Sequence, residues 1–111
     1  MVTVFEQGDI IYMDFGPQTR HEQAGRRPGI VISKTAFNRK SSMVMVCPIT
    51  HTARGLFFQP KLPSDLKTDG YVLCDQARFL DIGARNARFE EKVPQDFLAE
   101  VVDLVCSLIE V

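Results

Sequence analysis

The 111-residue sequence contains no tryptophan, only two histidines and only three cysteines. No apolar run approaches the ~20 residues that a membrane-spanning helix needs, and the first residues lack the basic and apolar regions of a secretory signal. Cys47, Cys74 and Cys106 form no C-x-x-C pair, and His21 and His51 stand alone, so the pattern argues against a zinc site. We therefore expect a soluble protein of the reducing cytoplasm that uses no metal and no cofactor.

The cysteines all lie in apolar stretches of the sequence. Buried, unreactive thiols are the favoured interpretation of such positions. The alternative is a thiol nucleophile that acts together with a histidine.

Composition is that of an ordinary globular domain, with 45% hydrophobic and 24% charged residues, which excludes disordered, collagen-like and disulfide-scaffold classes. The length suits one domain over residues 1–111. A net charge of −1 conceals a basic block over residues 20–54, where seven arginines and lysines face the single acid Glu22. Such a block suggests an anionic partner, nucleic-acid phosphate first, or else a solvated arginine-rich loop.

Short β-prone segments dominate the chain and are separated by glycine and proline. Strands are predicted at 9–15, 29–33, 43–47, 56–59, 70–73 and 78–82, with a long polar loop over 16–28. Helical periodicity is clear only over 94–110, where one apolar stripe faces one polar stripe and Pro94 suits the first turn. The pattern predicts a mainly β fold, a small barrel or rolled sheet with a C-terminal amphipathic helix packed on its core.

The chemistry-bearing side chains are concentrated in the loop sequence H-E-Q-A-G-R-R-P at residues 21–28. An imidazole, a carboxylate, an amide and two guanidiniums fall within seven residues, and loops on rigid sheets commonly carry such groups. Pro28 favours extended backbone at Arg27. We therefore expect the Arg27 guanidinium to be fixed at the edge of the barrel.

This loop resembles the signature of the MazF/PemK/Kid toxin family. Further matches follow in the same order, A-F-N at 36–38, P-I-T at 48–50 and D-Q at 75–76, so the resemblance covers nearly the whole chain. It implies an SH3-like β-barrel with a C-terminal helix, which forms a homodimer. It also implies a sequence-specific, metal-independent endoribonuclease that acts on single-stranded RNA and is held by an antitoxin, whose acidic disordered tail would suit the basic block.

The resemblance also assigns catalytic roles. Arg27 matches the family's catalytic arginine, and its permanently charged planar fork suits a phosphate. Thr50 matches the catalytic threonine, although a threonine can also simply end a strand. A hydroxyl at this position can donate to a phosphate oxygen or relay a proton.

The general base has several candidates. Glu22 matches a functional glutamate of MazF-type members, whereas Asp75 and His21 match site residues of the Kid/PemK branch. That branch has an arginine two residues before the aspartate, but here the position is Leu73. The departure favours Glu22, leaves Asp75 as a base or as a nucleobase contact, and leaves His21 as a site residue or a solvated histidine.

RNA contacts are expected from side chains that stack on bases or pair with them. The candidates are Gln23, Arg26, Arg54, Phe57, Gln76 and Arg78, of which Phe57 is expected in the core in preference to a stacking platform. Three other departures from the family are Gly16, Arg20 and Gly29. The first two are expected to alter loop dynamics or RNA preference, and Gly29, where relatives usually have alanine, is expected to be harmless.

Two other functional classes compete with the nuclease. A non-catalytic toxin of the same fold could poison a protein target, as CcdB-type gyrase inhibitors do, but these use a C-terminal tryptophan that this sequence lacks. An SH3-like interaction module would need exposed aromatic residues for a proline-rich ligand, and this chain has only two tyrosines.

Overall fold

The computed structural model describes residues 4–16 and 25–111, which form an antiparallel sheet and two helices. The elements in chain order are β1 (Asp9–Asp14), β2 (Arg26–Val31), α1 (Thr35–Lys40), β3 (Met43–Thr50), β4 (Tyr71–Val72), β5 (Arg78–Asp81), β6 (Arg88–Lys92) and α2 (Gln95–Ser107). Short 3₁₀ turns occupy Cys74–Gln76 and Ile82–Ala84. Hydrogen bonding orders the strands β4-β3-β2-β1-β6, and β5 also pairs with β3.

Strand β3 organises the sheet because it pairs with three others. Its first half pairs with β5, its middle with β2, and its last two residues with β4. The apolar sequence M-V-M-V-C-P-I-T is almost entirely buried, as expected of a strand covered on both faces. Thr50 is therefore the last residue of a buried central strand.

The core lies on both faces of the sheet. Along β2, Ile30 joins a cluster beneath α2, and Val31 joins a second cluster on the opposite face, as strand alternation requires. Helix α2 buries Phe97, Leu98, Val101 and Val105. The predicted amphipathic C-terminal helix packed on a β core is thus present, although shorter than 94–110.

The prediction of a strand at 56–59 is wrong, and so is that of a loop reaching residue 28, because β2 already begins at Arg26. Residues 56–59 form a turn, in which the Gln59 N–H donates to the Leu56 carbonyl at 3.0 Å, and not a strand. Helix α1 and strand β6 were not predicted. Six residues are too few to show helical periodicity, and the exposed sequence R-F-E-E-K of β6 has no apolar alternation.

One expectation about individual side chains also fails. Cys106 is exposed on α2, whereas Cys47 and Cys74 are buried as expected. Gly29 is closely packed, because a Cβ there would lie 2.6 Å from Val46 Cγ1 and 2.8 Å from Phe15 Cζ. No helix in the described part of the chain is long and apolar enough to span a membrane.

Candidate active site

Arg27 and Thr50 each lie two residues beyond the last pair of the β2–β3 ladder, Gly29 and Pro48. Gly29 pairs with Pro48, and the same register continued by two residues sets Arg27 across from Thr50. Side chains two residues apart on a strand share a face, and adjacent strands lie about 4.8 Å apart. The half-buried guanidinium and the buried hydroxyl therefore belong to the same face and the same end of the sheet.

Backbone contacts fix Thr50. A Cβ on Gly70, whose φ is +135°, would lie only 2.6 Å from the Thr50 carbonyl oxygen, so the residue next to β4 packs directly on the end of β3. The Thr50 hydroxyl accepts a hydrogen bond from the Thr52 N–H at 3.2 Å. Because a hydroxyl both accepts and donates, this contact leaves its proton available for a phosphate oxygen.

Arg78 extends the same face. It begins β5 opposite Val46, donates to the Phe15 carbonyl at 3.1 Å, and places its guanidinium 5.5 Å from the Phe15 ring centroid. Gly29 leaves the space that this ring fills. One arginine from β2, one threonine from β3 and one arginine from β5 thus belong to the same face, with Arg78 beside the middle of β3 and Thr50 at its end.

The signature loop starts and finishes at this end of the sheet. The Phe15 N–H donates to the Gly25 carbonyl at 2.9 Å, and the Gly25 N–H donates to the Gly16 carbonyl at 2.8 Å. His21, Glu22 and Gln23, together with the Arg20 departure, lie outside the described residues. Their proposed roles stay predictions.

Asp75 and Gln76 lie in the 3₁₀ turn that follows β4. With Arg78 they line a cavity of about 170 Å³, so three of the predicted residues share one small depression. Asp75 is exposed, whereas Leu73 is buried and donates its N–H to the Pro48 carbonyl at 2.9 Å. The departure at Leu73 therefore places an apolar core side chain where the Kid/PemK branch has a charge.

The buried thiols are unsuited to nucleophilic chemistry. Burial, followed by the nearby charge of Asp75, raises the pKa of Cys74 to about 12, and burial also raises the pKa of Cys47 far above its usual range. Since the thiolate is the reactive form, neither side chain is a nucleophile at neutral pH. The cysteine–histidine alternative thereby loses two of its three cysteines.

Tyr12, which sequence reasoning missed, lies on the face of the sheet opposite Arg27, because it pairs with Pro28 and successive residues of β2 point to opposite faces. The guanidinium of Arg26 lies 5.0 Å from its ring centroid and that of Arg88 lies 5.4 Å away. Arg88 belongs to the unpredicted strand β6, so the sequence offered no way to place it. Tyr12 and Arg88 also line a cavity of about 390 Å³ with His51 and Lys67. His51 directly follows Thr50 in the chain.

Phe57 is exposed, contrary to the expectation that it belongs to the core. Its side chain is 70% accessible and its ring meets Phe58 edge-to-face at 5.0 Å, which favours the stacking-platform interpretation. Arg54 is also exposed, and its backbone N–H donates to the buried Gln59 side chain at 2.9 Å.

The basic block of residues 20–54 does not form one patch. Arg26 and Arg27 lie at the start of β2, whereas Lys34, Arg39 and Lys40 lie on or beside α1, which precedes β3. The eight residues of β3 separate the two groups, a length of roughly 25 Å. In the part of the chain that is described, no three His, Cys, Asp or Glu side chains are grouped so that they could hold a metal ion.

The comparisons with known proteins agree with one another in the relatives they find. A family model described as "PemK-like, MazF-like toxin of type II toxin-antitoxin system" matches residues 6–109. Endoribonuclease PemK of Escherichia coli is 33% identical over 108 residues, which cover 94% of this chain and 81% of PemK. Two Deinococcus radiodurans structures are 39% identical: MazF, with a TM-score of 0.91 over 97% of this chain and 98% of that one, and a MazE–MazF crystal, with a TM-score of 0.85 over 97% of both.

Proposed function

Because the chain belongs to the PemK-like, MazF-like family of type II toxin–antitoxin toxins, we propose that it is a sequence-specific endoribonuclease that cleaves single-stranded RNA without metal. The ribose 2′-oxygen attacks the adjacent phosphorus as its proton passes to a base. The bond from phosphorus to the 5′-oxygen breaks, and that oxygen takes up a proton. The products are a 2′,3′-cyclic phosphate and a 5′-hydroxyl, and loss of mRNA stops translation and growth.

The observation that supports this proposal is the β2–β3 register, which, continued two residues beyond the Gly29–Pro48 pair, sets Arg27 across from Thr50. Negative charge accumulates on the phosphorane oxygens during the reaction, and fixed donors aimed at such charge are the largest single source of rate enhancement in many enzymes. Arg27 supplies a permanent cation and Thr50 a neutral donor. Neither group needs a metal ion in order to act.

Proton transfer is assigned to Glu22 or Asp75 as the base, with His21 as a further site residue. Asp75 lines a cavity with Gln76 and Arg78, so it can act on the RNA either as a base or as a nucleobase contact. Glu22 remains the favoured base because Leu73 departs from the arginine–aspartate pattern.

RNA binding is assigned to polar, cationic and aromatic side chains, namely Gln23, Arg26, Arg54, Phe57, Gln76 and Arg78. Phe57 offers an exposed ring on which a base can stack. Arg78 and Arg26 supply guanidiniums for backbone phosphates or base edges.

Partners are assigned from the relatives and from the surface. A crystal structure of the relative MazF with MazE supports a cognate antitoxin, whose acidic tail would cover the cationic end of the sheet. The exposed edge-to-face pair of Phe37 and Phe79, 5.5 Å between centroids, together with Ile109 at 74% exposure, supports a homodimer. We further assign residues 1–111 to one toxin domain that acts in the cytoplasm, where mRNA is translated.

The test is incubation of the purified protein with a long RNA in EDTA, followed by sequencing of the cut ends and analysis of their chemistry. The expected result is cuts at one short sequence, with 2′,3′-cyclic phosphate and 5′-hydroxyl ends. A 2′-deoxy residue at the cut nucleotide is expected to abolish cleavage. RNA that stays intact with wild-type protein would return the chain to the protein-poison or interaction-module class.

A further inference from the structure

Glu91 of β6 holds a turn that is distant in sequence. Its carboxylate accepts hydrogen bonds from the Lys67 N–H at 3.1 Å, the Thr68 N–H at 2.6 Å and the Thr68 hydroxyl at 2.7 Å. Hydrogen bonds to a charged acceptor are the strong ones in proteins. Three of them on one side chain fix the turn over residues 67–69 against the sheet.

A β-bulge aims Glu91 at this turn. Ile10 pairs with Glu91 and Ile11 with Phe89, so Glu90 is an extra residue in β6. Without it, strand alternation would set Arg88 and Glu91 on opposite faces of the sheet. With it, the two side chains share the face of Tyr12, because a bulge re-aims the residues that follow it.

The turn is one wall of the cavity of about 390 Å³ beside Tyr12. Lys67, Thr68 and Asp69 line this cavity together with Tyr12, Arg88 and Glu90. The same segment ends at Gly70, which packs on the Thr50 carbonyl. The wall is therefore fixed at one point by Glu91 and at another by the threonine of the candidate catalytic pair.

We propose that Glu91 is a positioning residue for RNA binding, which sets the 67–69 turn as a wall of the groove for the nucleotides that flank the cut. This inference rests on the proposed endoribonuclease function. Glu91 itself touches no RNA in this arrangement. It acts through the turn, while Arg88, Lys67 and the Tyr12 ring offer phosphate and stacking contacts to the strand.

Electrostatics agree with this role. Partial burial on its own would raise the pKa of Glu91, but the hydrogen bonds from Thr68 and Lys67 outweigh it and lower the pKa. The carboxylate is therefore ionised at neutral pH, the state in which it accepts most strongly. A glutamate that only faced solvent would not accept three hydrogen bonds from a segment more than twenty residues away in sequence.

The experiment compares Glu91→Ala and Glu91→Gln with wild type, using an RNA that extends several nucleotides on both sides of the cut and a minimal RNA that contains only the recognised sequence. Thr68→Val removes the hydroxyl donor and tests the same contact from the other side. Asp103→Asn is the matched control, a carboxylate-to-amide change on the exposed face of α2. Thermal melts and the exchange of the Lys67 and Thr68 amides show whether each variant is folded and whether its turn is released.

For Glu91→Ala we expect KM for the longer RNA to rise about tenfold while kcat stays within about twofold, since a misplaced binding wall removes uniform binding and not transition-state stabilisation. Glu91→Gln and Thr68→Val are expected to lie between wild type and Glu91→Ala. The minimal RNA is expected to be cut at the wild-type rate, and Asp103→Asn to match wild type with both RNAs.

An unchanged KM in a folded Glu91→Ala protein whose amides show a released turn would overturn the inference, as would a loss confined to kcat. If Glu91→Ala does not fold, the KM values of Glu91→Gln and Thr68→Val decide by the same criteria. Failure of wild-type protein to cut any RNA would instead refute the proposed function on which this inference rests. The two failures are thereby distinguished.

Discussion

At the scale of single residues, the chemistry reduces to what a guanidinium and a hydroxyl can do for one phosphate. Arg27 carries a guanidinium whose planar fork offers two parallel donors. Thr50 is held by the end of β3 and by Gly70, so its hydroxyl loses little freedom when it donates. Catalysis then depends on donors that are already in place before the phosphorane forms.

Substitution of Arg27 is expected to affect the chemical step. Arg27→Ala should lower kcat by about 10²–10³, equivalent to about 3–4 kcal/mol of barrier. Arg27→Lys should recover only part of this loss, because an ammonium keeps the charge without the planar fork. Single-turnover cleavage in EDTA measures both, with Arg39→Ala, an exposed arginine on α1, as the control. A lysine variant as active as wild type would show that charge alone suffices.

At the scale of elements, the site depends on how β2 lies against its neighbours. Gly29 has no side chain, and the Phe15 ring fills the space over β2 where a Cβ would lie. The Phe15 carbonyl in turn accepts a hydrogen bond from Arg78. The bulge in β6 has a similar role, because it turns Glu91 toward the 67–69 turn. Two local irregularities, a missing Cβ and an extra residue, thus shape the walls of the site.

Gly29→Ala is expected to destabilise the fold. The new methyl would meet Val46 and Phe15 at less than 3 Å, and overpacking of this kind costs about 1–3 kcal/mol. Urea unfolding measures the loss, with Gly83→Ala as the control, because its nearest atom is 3.3 Å away on the flexible Asp81 side chain. Equal stability of the two variants would show that the packing round β2 accommodates the added methyl group without strain.

The hydrogen bonds of Glu91 should make part of the stability depend on pH. Its pKa is lower in the folded protein than the ordinary 4.5, so its ionised form stabilises the fold above that pH, and the contribution disappears as pH falls through the folded value. Glu91→Gln should therefore lower the free energy of unfolding at pH 7, and the deficit should shrink by pH 3.

Urea titrations of wild type and Glu91→Gln at the two pH values give this difference directly. Asp103→Asn, measured in parallel, should differ from wild type in unfolding free energy by the same small amount at both pH values. A deficit for Glu91→Gln that is equally large at pH 3 would mean that the ionised carboxylate does not stabilise the turn.

At the scale of the whole molecule, the predicted family and the predicted mainly β fold with a C-terminal helix are confirmed. The sequence pointed to Arg27 and Thr50 because they lie in recognisable motifs, but strand pairing alone brings them together. Tyr12 and Arg88 were missed because β6 has no apolar pattern and its bulge leaves no sequence signal. Phe57 was misjudged because an aromatic residue between apolar neighbours looks the same whether it is buried or exposed.

The most direct test of the shared site is a double-mutant cycle on RNA cleavage. Single-turnover rates on one RNA with a mapped cut are measured in EDTA for wild type, Arg27→Ala, Thr50→Val and the double variant. The expected result is that each single change slows cleavage and that the double variant loses much less than the product of the two losses, because both side chains stabilise the same developing charge. Losses that multiply, or an Arg27→Ala protein that cuts at the wild-type rate, would contradict the account.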